Sequence, residues 1–326
     1  MLKILKSGMQ TTVQDLGRFG YQKYGVIASG AMDPYALRVA NLLAGNGENA
    51  AALEITLTGP SIRFEKDLFI AICGGDLSPK IDGQDAGMWR TIAVRKGQTL
   101  AFGQPLSGCR SYLAVSGGIA VPEVMNSKST YLRAEIGGFH GCALKNGDEV
   151  QVNPLSPERE AALKNAANGE TDWLTPPLRY SGQPVIRMMK GRQFNLFNEE
   201  SKKRIFTDFF SVSSNSDRMG YRLEGTKLSL EKAAELISEA VAFGSIQVPA
   251  DGNPIVLLAD RQTTGGYPKI GQVASVDLPL ISQLKPGDRL CFKEVSLQEA
   301  QRLYIEQEEK IRQLKIGIRL KREESK

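Results

Sequence analysis

The sequence has a single histidine, His140, and four cysteines that form no CxxC pair. Metal centres are commonly built from several His and Cys ligands, so this composition argues against a resident metal ion. A Ser/His/Asp triad is equally constrained, because His140 alone would have to supply the base. His140 also stands among glycines in GGFHGC, where a loop residue that only tolerates unusual torsions is the simpler explanation.

Nucleotide and biotin motifs are also missing. There is no GxxxxGK[ST], no GxGxxG between a strand and a helix, and no lysine-bearing AMKM-type segment for biotin attachment. If ATP or biotin takes part in a reaction, we expect another chain to carry it. The sequence has no apolar run of ~20 residues, and MLKILKSGMQ lacks the apolar core of a signal peptide, so we expect a soluble, cytoplasmic protein.

The balance of charges argues against a nucleic-acid partner, and the spacing of the cysteines indicates their state. Lys and Arg number 41 and Asp and Glu 36, a net charge of +5, and no basic stripe is interleaved with aromatics, so no nucleic-acid partner is expected. The widely spaced cysteines predict buried, reduced thiols. They are Cys73, Cys109, Cys142 and Cys291.

Short apolar and β-branched runs separated by glycine turns dominate the sequence. ALEITL, LFIAIC and RSYLAV are examples, and long helical patterns are scarce before Leu297. The pattern predicts a mainly β protein with a few inserted helices.

A repeated pattern indicates two related domains. RSYLAVSGG, GGFHGC and LKNGDEV in the first half parallel PIVLLADRQTTGG, GGYP and LKPGDRL in the second. Two β-barrels related by duplication would explain this, and convergence of a short turn motif is the alternative. The predicted boundaries are a first barrel at 1–153, a proline-rich and charged linker at 154–184, a second barrel at 185–295 and a helical extension at 296–326.

The extension begins with a capping box formed by Ser296 and Glu299, followed by a partial apolar stripe. It either packs against its own barrel or docks on a partner. The final KREESK is expected to fray.

A first polar constellation lies between Thr11 and Asn46. Gln14, Asp15 and Arg18 stand among glycines that allow the chain to turn sharply. Asp15 and Arg18 either bind a ligand or pair with each other to brace a loop. Asp33 precedes a proline and a helical pattern, so it is also a candidate N-cap.

A second constellation follows the apolar run PIVLLAD, where a strand end meets Gly265 and Gly266. Arg261 offers a planar fork suited to a carboxylate or phosphate, and Thr263 and Thr264 offer hydroxyl donors. A hydrogen-bonded hairpin loop is the alternative. A third set, SNSDRMGYRLEG, contains Asn215, Asp217 and Arg218.

Four long segments carry a resemblance to a known family. They are QDLGRFGYQKYGVIASGAMDPYALRVANLLAGN, ALEITLTGP, SNSDRMGYRLEG and GSIQVPADGNPIVLLADRQTTGGYPKIGQVASVDLPLISQLKPGD. They closely resemble the KipA family of biotin-dependent carboxyltransferase-like proteins, which includes the 5-oxoprolinase C subunit and is also called allophanate hydrolase subunit 2-like. The resemblance reaches from the N-terminus to about Phe292.

The resemblance implies two cyclophilin-like β-barrel domains and a heteromeric enzyme. Its partners would be a protein of the KipI type, which corresponds to the 5-oxoprolinase B subunit, and a protein of the A-subunit type. Such a complex opens 5-oxo-L-proline to L-glutamate with ATP hydrolysis; ATP is expected on the complex, and no metal or biotin on this chain. The resemblance also allows a regulatory protein that antagonises a KipI-type inhibitor of a sporulation histidine kinase, or a carboxyltransferase component acting on a small amide.

Opening a lactam in water requires an activated carbonyl, a positioned water and stabilisation of an oxyanion. We therefore expect the Gln14 to Arg18 loop and the Asp260 to Tyr267 loop to line one cleft completed by the partner. The catalytic candidates are Asp15, Arg261, Thr263 and Thr264. The substrate-binding candidates are Gln14, Arg18, Asp33, Asn215, Arg218, Gln262, Gly265, Gly266 and Tyr267.

Overall fold

A computed structural model describes residues 1–166, 174–232 and 236–324. The chain groups into two compact units. Unit one comprises Met1–Arg18, Ser29–Arg179 and Lys310–Lys326, and unit two comprises Phe19–Ala28 and Tyr180–Glu309. Both are built mainly from strands, which confirms the predicted fold class.

The strands of unit one form two antiparallel sheets. In the described residues they are β1 (Leu2–Lys6), β2 (Gln10–Gln14), β3 (Ala52–Thr56), β4 (Ser61–Phe64), β5 (Leu68–Asp76), β6 (Lys80–Ile81), β7 (Gln84–Asp85), β8 (Thr91–Val94), β9 (Thr99–Ala101), β10 (Ser107–Val115) and β11 (Glu149–Val150). The sheet orders are β11-β1-β4-β9-β6-β7 and β2-β3-β10-β5-β8. Alternate apolar side chains of both sheets, such as Ile4, Ile55 and Ile72, share one buried core.

The first helix, α1 (Pro34–Ala44), packs against β5 and β10. Its boundaries follow from local chemistry. The Asp33 carboxylate accepts a hydrogen bond from the Ala36 N–H at 2.9 Å, Pro34 occupies the first turn, and Gly45 ends the helix with a φ of 89°. The predicted N-cap is confirmed.

The second helix, α2 (Pro157–Asn165), lies within the segment predicted to be a linker. Leu163 is buried against Phe69 and Ala93 of unit one. The Arg159 guanidinium lies 4.2 Å from the centre of the Phe69 ring, and Arg95 donates hydrogen bonds to the Leu163 and Ala166 carbonyls. This part of the segment therefore packs as an element of unit one. Residues 167–173 of the predicted linker lie outside the described residues.

Unit two is built around a closed barrel. Its strands in the described residues are β12 (Val185–Lys190), β13 (Phe210–Val212), β14 (Gly220–Glu224), β15 (Glu239–Ala240), β16 (Ser245–Gln247), β17 (Ile255–Leu257), β18 (Thr264–Gly265), β19 (Lys269–Val273) and β20 (Arg289–Glu294). The barrel order is β12-β19-β16-β17-β14-β13-β20, and the parallel pairing of β12 with β20 closes it, while β15 and β18 form a separate ribbon. The helices α3 (Glu199–Thr207) and α4 (Leu278–Ser282) join the strands. Short 3-10 turns lie at Gln22–Tyr24, Leu132–Ala134, Phe194–Leu196 and Ser275–Asp277.

The repeated LKxGD segments, 144–148 and 284–288, adopt the same turn in the two units. In each, the Lys N–H donates to the Asp carboxylate, at 2.7 and 3.0 Å, and the Asp N–H donates back to the Lys carbonyl, at 3.2 and 3.0 Å. Gly147 and Gly287 have φ values of 90° and 89°. In both units this turn leads into the strand that follows it, β11 or β20.

The C-terminal helix, α5, runs over Leu297–Glu324. The Ser296 hydroxyl accepts from the Glu299 N–H at 3.1 Å, which is one of the two hydrogen bonds of the predicted capping box, while the Glu299 carboxylate binds Arg302. Ala300 packs with Ala274 and Val276 of unit two, while Ile311 and Ile318, in the stretch that groups with unit one, are also buried. The helix packs on its own chain. The last two residues of the predicted frayed end, 325–326, lie outside the described residues.

No helix in the described parts of the chain is both long and apolar enough to cross a membrane.

Candidate functional site

The loop after β2 is organised around the buried Asp15 carboxylate. It accepts hydrogen bonds from the Gly17 N–H at 2.8 Å, the Ser127 hydroxyl at 2.8 Å, the Lys128 N–H at 2.6 Å and the Ser129 hydroxyl. With these donors Asp15 fixes the loop to residues 127–129. Its predicted catalytic role stays a prediction.

Arg18 is fully buried and holds the same neighbouring segment. Its Nε donates to the Val124 carbonyl and its Nη2 to the Ser129 carbonyl, both at 2.9 Å. Asp15 and Arg18 therefore both bind residues 124–129, which gives each a bracing function. The predicted ligand role of Arg18 stays open.

Gln14 is also buried, at the end of β2. Its Nε2 donates to the Thr12 hydroxyl and the Thr130 carbonyl, both at 3.1 Å. Its Oε1 is buried and has no hydrogen-bond partner in the described residues, so one acceptor of this candidate binding residue is available to a donor.

Asp33 is the third predicted binding residue of unit one, and the structure places it at the N-terminus of α1. Its N–H donates to the Tyr112 hydroxyl at 2.8 Å, which donates in turn to the Glu54 carboxylate at 2.7 Å. Burial raises the pKa of Tyr112 well above its usual range, and the charges of Glu54 and Asp33 add to the shift. This network was not predicted from the sequence, although Glu54 within the otherwise apolar strand ALEIT was a visible signal.

Residues 29–33 pack closely on the Asp15 loop. The Ala31 N–H donates to the Asp15 carbonyl at 2.9 Å, and a Cβ on Gly30 would lie only 2.9 Å from Gly17 backbone atoms. Gly30 also has a φ of 93°, so a side chain at this position would be strained as well as crowded. The network around Asp33 thus supports the loop that carries Asp15.

In unit two, Asp260 and Arg218 form a buried ion pair. The Arg218 Nε and Nη2 atoms lie 2.9 and 3.1 Å from the two Asp260 carboxylate oxygens, and both side chains are about 7% exposed. The Asp260 N–H also donates to the Arg218 carbonyl at 2.8 Å. The pair fixes the chain at the start of the 260–267 loop, and the predicted substrate contact of Arg218 stays a prediction.

Arg261, the next residue, is partly buried. Its Nη1 donates to the Leu258 carbonyl at 3.2 Å, and its guanidinium lies 5.7 Å from the centre of the Phe243 ring. Within the described residues no carboxylate forms a salt bridge with Arg261, and its buried Nε has no hydrogen-bond partner. Burial lowers the pKa of Arg261, while the negative charge of Asp260 raises it.

The rest of the loop forms a short ribbon edge. Thr264 and Gly265 pair with β15, and the Thr263 carbonyl accepts from the Val241 N–H at 3.2 Å. The exposed candidates are Gln262, Thr264 and Tyr267, whereas Thr263 and Gly266 are partly exposed. The two threonines therefore have accessible side chains, as hydroxyl donors to a ligand require.

Gly265 separates two amide side chains. A Cβ at Gly265 would lie 2.7 Å from Gln247 Nε2 and 2.9 Å from Gln262 Nε2. Both amide groups can take these positions only because residue 265 is a glycine. Gln247 was not predicted from the sequence, because it lies in strand β16, away from the 260–267 loop in the chain, and approaches that loop only through tertiary structure.

Asn215, in the third predicted set, lies in an exposed turn before β14. Asp217 closes this turn by accepting from the Met219 N–H at 2.8 Å. Both residues lie in unit two.

The remaining unusual residues agree with the simpler explanations. His140 is exposed, has a φ of 54° and contacts the Phe139 ring at 4.5 Å. Cys73 and Cys109 are buried free thiols, as predicted, whereas Cys142 and Cys291 are free thiols that are only partly buried. Burial raises the pKa of Cys73. Among residues 1–166, 174–232 and 236–324, no group of three potential His, Cys, Asp or Glu metal ligands occurs.

The predicted site residues fall into the two units. Gln14, Asp15, Arg18 and Asp33 belong to unit one, and the 215–218 and 260–267 segments to unit two. The single cleft expected from the sequence stays a prediction.

The two-sheet unit and the closed seven-stranded barrel make this a mainly β protein of two units. Comparison with known proteins gives its family. The chain belongs to the family described as carboxyltransferase domain, subdomain A and B, whose model matches residues 24–294.

Among its relatives, the 5-oxoprolinase C subunit of Haemophilus influenzae is 39% identical over 303 residues, covering 93% of this chain and 94% of the relative. The protein of the same name from Escherichia coli is 39% identical over 316 residues, covering 96% and 97%. The crystal structure of the K. lactis urea amidolyase superimposes with a TM-score of 0.86 at 32% identity, covering 96% of this chain and 20% of that one.

Proposed function

We propose that the chain is the C subunit of an ATP-dependent 5-oxoprolinase, which converts 5-oxo-L-proline, ATP and water to L-glutamate, ADP and phosphate. One observation carries the proposal: the chain is similar to two bacterial 5-oxoprolinase C subunits over 94% and 97% of their lengths. Such similarity over whole chains favours a shared role more strongly than a shared fold does.

The proposed enzyme is a heteromeric, cytoplasmic complex. This chain would act with a B-type (KipI-like) protein and an A-type protein. The name of the relatives supports a multi-subunit assembly, and in urea amidolyase the matching region is only 20% of a longer chain. ATP would be held by the complex, where it would activate the lactam carbonyl.

Substrate binding is assigned to the 260–267 loop. 5-Oxoproline carries a carboxylate, and Arg261 is a partly buried guanidinium without a carboxylate partner in the described residues. A planar guanidinium suits a carboxylate, and partial burial strengthens their attraction because water screens it less. Arg261 would therefore hold the substrate carboxylate.

Ring opening requires attack of water on the lactam carbonyl and produces negative charge on its oxygen. The accessible hydroxyls of Thr263 and Thr264 are the donors proposed for that oxygen. Asp15, whose carboxylate already accepts from two hydroxyls and two backbone N–H groups, would act through the order it gives its loop.

The first experiment measures glutamate released from 5-oxoproline and ATP by this protein mixed with its A-type and B-type partner proteins, omitting each chain in turn. The proposal expects release that depends on this chain. Release that continues without it, while the partner complex still forms, would contradict the proposal and favour a regulatory binding protein. No release from the full mixture, with all chains folded and assembled, would also reject it.

A further inference from the structure

We propose that Arg218 is a positioning residue: by binding Asp260, it keeps Arg261 available for the carboxylate of the substrate. The identity of that substrate rests on the proposed function, whereas the pairing itself concerns only unit two. Arg218 was predicted from the sequence to bind substrate; here its role is to hold Asp260 away from Arg261.

Geometry supports the first step, that Arg218 occupies Asp260. Two guanidinium nitrogens face two carboxylate oxygens at 2.9 and 3.1 Å, and both side chains are almost completely buried. A buried carboxylate requires such compensation, because desolvation makes an unpaired charge unfavourable. Asp260 will therefore attract any cation within reach when Arg218 is removed.

The second step is that Arg261 is a cation within reach. It follows Asp260 directly in the chain, and its backbone N–H and its Nη1 both donate to the Leu258 carbonyl at 3.2 Å, so the side chain folds back over the turn that carries Asp260. Its contacts are comparatively weak: one carbonyl at 3.2 Å and the Phe243 ring at 5.7 Å. Without Arg218, a carboxylate would be a stronger partner for Arg261 than either of these contacts.

The consequence is a competition between an internal and an external carboxylate. In the native chain Arg218 binds the Asp260 carboxylate, so the guanidinium of Arg261 is left to bind the carboxylate of the substrate. In Arg218→Met, Asp260 would occupy Arg261, and the substrate carboxylate would have to displace it.

The first test follows Arg261 directly, without enzymatic activity. Phenylglyoxal reacts with the unprotonated guanidine, and mass spectrometry of peptides from the full-length chain can quantify modification at Arg261 relative to the exposed Arg192. We expect Arg218→Met to reduce modification about tenfold for each unit by which the new pair raises the pKa of Arg261. The double variant Arg218→Met/Asp260→Asn should restore it, since the competing Asp260 carboxylate is then removed.

The second test measures KM and kcat in the reconstituted complex. We expect Arg218→Met to raise KM for 5-oxoproline about tenfold or more, with a smaller effect on kcat, and the double variant to recover most of the loss. Arg218→Lys should stay close to the native KM, because it retains a cation for Asp260.

A control comes from a second arginine–aspartate pair of unit two, in which Asp277 is fully buried and the Arg187 side chain is about one-third exposed. Arg187 binds Asp277 through its backbone N–H at 2.7 Å and its Nε at 2.9 Å. Arg187→Met breaks a comparable pair that does not include Asp260, so it should leave Arg261 modification and KM unchanged in folded protein, as judged by circular dichroism.

Unchanged modification of Arg261 in folded Arg218→Met would overturn the inference, as would a double variant that is no better than the single one. If the single variant does not fold, the double and Lys variants decide: a double variant that folds with native modification and KM supports the inference, and one that folds with raised KM rejects it. The labelling result separates the two proposals. Labelling as expected with no glutamate from the native complex would retain the pairing and reject the 5-oxoprolinase assignment.

Discussion

The candidate site residues differ in whether their charged groups already bind other residues of the chain. Asp15 and Asp260 accept hydrogen bonds or ion pairs from their own units, and Arg18 donates to two carbonyls. Arg261 lacks a carboxylate in the described residues, so its charge is the one in the 260–267 loop that a ligand can best use.

Replacing Arg261 by alanine tests this difference. We expect kcat/KM for 5-oxoproline to fall about 10- to 100-fold, the range for losing a hydrogen-bonded charge, while the melting temperature changes by about 2 °C or less. Arg204→Ala, which removes an exposed pair with Glu200, is the control and should leave both unchanged. Unaltered steady-state kinetics in Arg261→Ala would remove the loop from the mechanism.

Tyr112 permits a prediction about pH. Because its folded-state pKa lies above the ordinary value of 10.0, the folded chain holds the phenol proton more tightly than the unfolded chain. This contribution to stability is complete below about pH 10 and is lost as the pH rises further.

Tyr112→Phe should lower the free energy of unfolding by about 1–3 kcal/mol near neutral pH, because the Asp33 N–H and Glu54 lose their shared partner. Above about pH 10 the native protein should lose stability faster than the variant, so their urea unfolding curves converge. Cys73 is present in both, so its contribution cancels. Curves that stay parallel to about pH 11 would contradict this account.

Secondary-structure elements show which part of the fold local chemistry determines. The caps of α1 and the repeated LKxGD turns were predictable, since Asp, Pro and Gly act within a few residues of their own positions. The order of the strands in each sheet was not predictable, because it depends on pairing between distant segments. Gln247 was missed for the same reason: only the barrel brings it to Gly265.

The two glycines of the repeated turns give a matched prediction. Gly147 and Gly287 both have φ near +90°, and no atom lies within 4 Å of a Cβ built on either one. Alanine at each position should therefore cost a similar conformational free energy, about 1–2 kcal/mol, with no steric term.

Gly47 is the control for that pair. It too has open space around a built Cβ, but its φ is not in the left-handed region, so Gly47→Ala should be close to neutral. Urea unfolding of the three variants checks the prediction. An equal loss in Gly47→Ala, or a large difference between the two turns, would refute it.

At the scale of the whole molecule, the sequence predicted two consecutive domains, whereas the contacts group discontinuous segments. Phe19–Ala28 groups with unit two and Lys310–Lys326 with unit one. Composition marks a linker by its prolines and charges, but it carries no information about which distant unit a segment joins. The polar loops were identifiable by residue type, and the division of their residues between units was not.

Ending the chain at Glu309 tests the grouping of the last helical stretch. The truncation removes Ile311 and Ile318, both buried, and should lower the stability of unit one by about 3–5 kcal/mol. Hydrogen exchange should therefore accelerate in β5 and β10 and change little in β12 and β19. Ending the chain at Lys321 keeps both isoleucines and should leave exchange as in the full chain; acceleration confined to unit two would contradict the grouping.

Residues 310–326 follow unit two in the chain but group with unit one, and this order matters during synthesis. Ribosomes synthesise a chain from its N-terminus to its C-terminus. The strands of unit one therefore emerge early, while Ile311 and Ile318 emerge only after all of unit two. At about 5–20 residues per second, unit one would wait several seconds or longer with part of its apolar surface uncovered. The surface around Glu48, which Lys315 binds at 3.1 Å in the folded chain, is thus where a nascent-chain chaperone would be expected to act.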